Sequence, residues 1–119
     1  MKYLKYWFPV IVYSGIIFYA SSIPGVKTPG FAHFDKIVHI CEYAPLGFFA
    51  ARAVYFSKPG VSLNSVILYA VLFVLLFGIS DETHQMFVVN RTSSLLDILA
   101  DFIGGSLGCL VYGRLRLIR

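Results

Sequence analysis

The sequence predicts an all-α integral membrane protein: a single domain over residues 1–119, built as a bundle of four transmembrane helices with both termini in the cytoplasm. Three observations carry this. Hydrophobic residues make up 58% of the chain and charged ones 13%, where a soluble domain has about a quarter charged. The apolar residues gather in four segments, each near the about 20 residues that one bilayer crossing takes. The Lys and Arg residues fall unevenly on the two sides that four crossings define.

The first segment, about residues 6–21, is apolar and aromatic behind Lys2 and Lys5. Ala20-Ser21-Ser22 offers the small residues of a signal-cleavage site, but Trp7, Phe8, Tyr13, Phe18 and Tyr19 argue for a retained helix. Tyr3, Tyr6 and Trp7 read as interface anchors. "SSIPGVKTPG" ends the segment, because its Pro and Gly residues break helices.

The second segment, about 34–56, begins "FDKIVHICEYAPLGFF". Asp35, His39 and Glu42 stand at i, i+4 and i+7 and so share a helical face. Pro45 leaves the carbonyl of Cys41 without its helical donor, and inside a membrane a neighbour must satisfy it. "SKPGVSLN" turns the chain.

The third segment, about 63–84, is uncharged from Val66 to Ser80 and then turns polar. Asp81, His84 and Gln85 share a face by the same spacing. A short loop with Asn90 and Arg91 leads to the fourth segment, about 94–113. Ser94-x-x-Asp97 fits a capping box at its start, and Asp101 follows one turn later. Gly104 and Gly108 form GxxxG, which lets membrane helices approach closely. Cys41 and Cys109 fall at different depths and lack CxxC spacing, so they read as packing residues without a disulfide.

Lys2, Lys5, Arg52, Lys58, Arg114, Arg116 and Arg119 lie on one side, and Lys27, Lys36 and Arg91 on the other. Seven against three places the termini inside by the positive-inside rule. All six acids and all three histidines fall near the opposite, outer ends of the helices. From Asp35 to Glu42 a helix descends about 10 Å, and from Asp97 to Asp101 about 6 Å. Ionisable groups at such depth cost about 2.5–3.5 kcal/mol each unless they face protein or water. The pattern therefore predicts a polar cavity open to the outer surface, with Lys36 and Glu82 as solvated rim charges and His39, Glu42 and Asp101 deeper. The net charge of +4 comes with no nucleic-acid-reading motif, so nucleic acid is excluded as a partner.

"DKIVHICEYAPLGF" (Asp35 to Phe48) resembles the DK-x-x-H-x-x-x-Y-x-x-LG segment of VanZ-like membrane proteins. "SDETHQMFVVNRTSSLLDILADFIGGSLG" (Ser80 to Gly108) is similar to that family's second block: DE-x-x-Q, then Arg, then Asp, then a Gly-rich helix. Two positions depart. Val89-Asn90 stands where the family often has Pro-Gly, and Asp101 where Asn is common. The resemblance implies a multi-pass protein of the bacterial cytoplasmic membrane, acting at the cell envelope. The family's named member is associated with low-level teicoplanin resistance.

Two functions from different classes follow. In the first, the pocket binds an envelope lipid headgroup, a lipid-linked cell-wall precursor or a lipoglycopeptide. Asp35, Lys36, Tyr43, Glu82, Gln85, Arg91, Asp97 and Asp101 would contact it, with Arg91 as a planar fork for phosphate or carboxylate. In the second, the protein is an enzyme acting on a lipid-linked substrate, with His39 or His84 as general base oriented by Asp35, Glu42 or Asp81 and Arg91 stabilising developing charge. No Ser or Cys stands in a nucleophile motif. His39-x-x-Glu42 and Asp81-x-x-His84 each offer two metal donors one turn apart, but without HExxH no metal and no cofactor is assigned. Membrane lipids are the expected partners, and the oligomeric state is not readable.

Overall fold

The computed structural model describes residues 1–25 and 33–119, and Lys27, which the sequence places on the outer side, lies outside them. Four helices form: α1 (Leu4–Ser22), α2 (Phe34–Ser57), α3 (Leu63–Gln85) and α4 (Leu95–Ile118). The protein is all-helical, and α2, α3 and α4 are each long and apolar enough to cross a membrane. At 1.5 Å per residue, 24 residues span about 36 Å, more than the hydrocarbon core requires. α1, at 19 residues the shortest of the four, is not among the three.

Two helix starts are capped by their own side chains. The Ser62 side chain caps α3 by accepting from the Ser65 amide, and Ser94 and Asp97 form a complete capping box on α4. α4 continues to Ile118, past the boundary near 113 that the sequence suggested. Arg114 and Arg116 are good helix formers and suit a helix C-terminus, so charge there ends the apolar run without ending the helix.

α2 is central and packs on all three other helices, whereas α1 touches α2 and α3 but not α4. The tightest pair is α2 with α4. A Cβ added at Gly104 would collide with the backbone of Ile40, one at Gly108 with that of Ala44, and one at Gly47 with that of Gly105. The GxxxG stripe is therefore where two backbones meet, and the sulfur of Cys109 lies against the Gly47 carbonyl beside it.

Burial is inverted relative to a soluble core. Large apolar side chains such as Phe8, Ile11, Leu68, Leu76 and Leu110 point outward. Asp81, Glu82, Gln85, Asp97 and Asp101 are buried. Water would penalise such a surface; lipid would not.

Several expectations change. Trp7 and Tyr6 turn inward: the indole N–H donates to Ser57 Oγ at 2.8 Å, and Tyr6 stacks on Phe56. α2 continues unbroken through Pro45, and it is the Glu42 carbonyl that accepts from the Tyr13 hydroxyl, at 2.8 Å. Cys41 is exposed on α2 rather than packed, because α4 meets the neighbouring face through Ile40 and Ala44.

Candidate functional site

The polar ends of α2, α3 and α4 converge with the end of α1 around a cleft of about 840 Å³, within the range of small-ligand pockets. Ala20, Ser21 and Gly25 contribute from the first helix and its end, Asp35, Val38, His39 and Glu42 from α2, and Gln85 from α3. Asn90, Arg91 and Thr92 of the α3–α4 loop and Asp97 of α4 complete it.

At the rim, the Lys36 ammonium donates to Asp35 Oδ2 at 2.7 Å and closely to Asp97 Oδ1. The other oxygen of Asp97 accepts from the Ser94 amide and hydroxyl. Asp97 thus caps α4 with one oxygen and ties it to α2 with the other.

His39 connects the cleft to what lies behind it. Its Nδ1 is 2.6 Å from Asp101 Oδ1 and 3.6 Å from Glu82 Oε1, and its Nε2 is 3.8 Å from Asp97 Oδ1. Glu82 is 1% exposed and Asp101 fully enclosed. Glu82 is therefore no rim charge. The polar end of α3 is wedged between two helices, so successive positions both turn inward, Asp81 towards Tyr43 of α2 and Glu82 towards His39 and Asp101.

A second buried chain runs from Tyr43 through Asp81 to Gln85 and Ser21. The Tyr43 hydroxyl donates to Asp81 Oδ2 at 3.1 Å, and the Gln85 amide donates to Ser21 Oγ at 2.9 Å and more loosely to Asp81. Tyr43 and Asp81 form the wall behind the cleft rather than its lining.

His84 does not join them. Its Nε2 meets Ser22 Oγ at 2.9 Å and its ring stacks on Phe18, so it docks α1 against α3 and does not line the cleft. The shared spacing with Asp81 puts the two on adjoining sides of α3, which face different neighbours.

Arg91 commits Nε to the Ile23 carbonyl at 3.0 Å and Nη2 to the Ala20 carbonyl at 2.8 Å. These bonds clasp the α3–α4 loop onto the end of α1. Gly25 completes the clasp, its amide donating to the Val89 carbonyl, and a Cβ there would collide with Asn90. Asn90 itself sits at φ 60, in the left-handed region that Gly adopts freely and Asn tolerates best among the others. The loop thus keeps the turn that a glycine at this position would make.

Sequence spacing missed Ser21, Gly25 and Thr92. The one available signal was the pair of serines closing an apolar helix. His39 lines the cleft and touches the buried carboxylates of Glu82 and Asp101, so it is the titratable group placed to move a proton between them and a ligand.

The curated proteins and the solved structures yield no match to this chain. The VanZ/LLP1 family model matches residues 3–117. With that match running through all four helices and the cleft at their polar ends, the chain belongs to the VanZ/LLP1 family.

Proposed function

We propose that the cleft binds the polar headgroup of an envelope lipid or lipid-linked cell-wall precursor at the outer leaflet of the bacterial cytoplasmic membrane. The observation that carries this is the polarity of the lining: Asp35, Glu42, Asp97, His39 and Gln85 face the cleft. The nearby cations are occupied, Lys36 by Asp35 and Asp97 and two Arg91 donors by backbone carbonyls. Such a lining suits a headgroup rich in donors, such as hydroxyls, amides or ammonium, better than a bare phosphate. A lipoglycopeptide presents the same chemistry, and this is how a link to teicoplanin resistance would arise.

In this reading α1 is the fourth crossing and both termini are cytoplasmic. Phe8, Ile11, Val12, Ile16 and Phe18 face outward along α1, which supports a lipid-covered helix. The seven-to-three distribution of Lys and Arg supports the orientation.

The test is mass spectrometry of lipids that co-purify with the protein. Wild type should carry a headgroup lipid that Glu42→Gln carries several-fold less of. An identical lipid complement in both would overturn the reading.

A second reading, an enzyme acting on such a lipid, is favoured by the 2.6 Å contact of His39 with Asp101. That contact fixes the ring as a general base would need. Incubation with a lipid extract should then yield a product that His39→Ala does not make.

A further inference from the structure

We propose that His39, Glu82 and Asp101 bind a divalent transition-metal cation behind the cleft. Each comes from a different helix, α2, α3 and α4, and one donor atom from each lies within 4.8 Å of the others. Around one ion with bonds of about 2.0–2.2 Å, neighbouring donors stand roughly 3–3.5 Å apart. The separations of His39 Nδ1 from Asp101 and from Glu82, 2.6 and 3.6 Å, bracket that distance. A shift of a few tenths of an ångström would seat the ion.

The second observation is an unmet demand. Both carboxylate oxygens of Glu82 and Oδ2 of Asp101 are buried with no hydrogen-bond partner. Ions buried without compensation are strongly disfavoured. The Nδ1 of His39 is already engaged by the other Asp101 oxygen, Oδ1, and its Nε2 faces Asp97. One imidazolium therefore leaves two carboxylates short by a charge and by three acceptor sites. A divalent cation meets both deficits, with His39 as a neutral Nδ1 ligand.

Asp97, 3.8 Å from Nε2 and held by Lys36, then stands on the ring's far side as the carboxylate that commonly orients a ligating histidine. One imidazole with two carboxylates suits zinc or manganese better than calcium, which prefers six to eight oxygens, or copper(I), which prefers sulfur. Three protein ligands leave a position for water or for a group held in the cleft. The i, i+3 pairs visible in the sequence do not make this site: Glu42 lines the cleft, and His84 docks on α1.

The proposal goes beyond headgroup binding and does not require it. Full-length protein in detergent, stripped with chelator and reloaded separately with Zn²⁺ and Mn²⁺, should retain about one equivalent of at least one ion after desalting. Glu82→Gln and Asp101→Asn should each weaken retention at least about tenfold, whereas His84→Gln should not. Circular dichroism and monodisperse elution check that the variants fold. Should they fail to fold, a thermal shift of wild type saturating at one equivalent still supports the site. Wild type that keeps no more metal than Glu82→Gln, or shows no shift with either ion, overturns it. Metal retention with an unchanged lipid complement in Glu42→Gln would sink only the headgroup reading.

Discussion

Tyr43 is fully enclosed, and its hydroxyl supplies the better of the two hydrogen bonds received by Asp81. Removing one partner of a buried polar group costs about 1–3 kcal/mol, more than the bond itself contributes. Tyr43→Phe should therefore lower the melting temperature in detergent by several degrees while leaving the helical signal intact. A melting curve unchanged from wild type would mean that Asp81 finds another donor. Asp97 makes a contrasting case. Its role as a cap was legible, because Ser94-x-x-Asp97 states it in four residues. Its tie to Lys36 was not, since that depends on how α2 is rotated against α4. Ser94→Ala should cost about 1 kcal/mol through the lost cap, read as a smaller melting shift than that of Tyr43→Phe. Glu82 was misread at this same scale for a related reason. Spacing along one helix tells which residues share a side, but not how many sides of that helix are covered.

Between elements, the deciding feature is the glycine seam of α2 and α4. GxxxG was visible in the sequence, yet its counterpart surface, the backbones of Ile40, Ala44 and Gly47, carries no comparable motif. Which helix a small-residue stripe meets is settled by the whole bundle. The seam also positions the candidate site, because it fixes the depth of Asp101 relative to His39. Gly104→Val places a branched side chain against the Ile40 backbone, which cannot rotate away. Overpacking of this kind costs about 1–3 kcal/mol or more. The variant should aggregate on extraction or melt much lower, and it should lose bound metal and lipid together. Gly15→Ala is the matching control, since a Cβ there meets nothing within 4 Å; it should behave as wild type. If Gly104→Val proved equally benign, the α2–α4 contact would have to be looser than described.

Across the whole molecule the two ends differ in kind. One end is a basic and aromatic collar, in which Arg116 lies 4.1 Å over the Tyr55 ring, Lys58 lies 4.4 Å over Tyr69, and Arg52 lies 5.3 Å over Tyr6. The other end holds the acids and the cleft. This sorting was readable from the sequence, since it needs only the order of charges and the number of crossings. That number turns on α1, the shortest helix, which is not among the three long and apolar enough to cross. Cysteine labelling resolves it in a Cys41→Ser background, with the buried Cys109 kept. Val89→Cys in the α3–α4 loop and Pro59→Cys in the α2–α3 turn occupy exposed positions at opposite ends. An impermeant maleimide should label Val89→Cys in intact cells and Pro59→Cys only after permeabilisation. Lys2→Cys then reports on α1 alone. Protected like Pro59→Cys, it means that α1 crosses and that the cleft opens outward with four helices around it. Labelled like Val89→Cys, it means that α1 stays on the outer side. In that case the packing of Trp7 on Ser57 and Tyr6 on Phe56, at the far end from the cleft, would not hold.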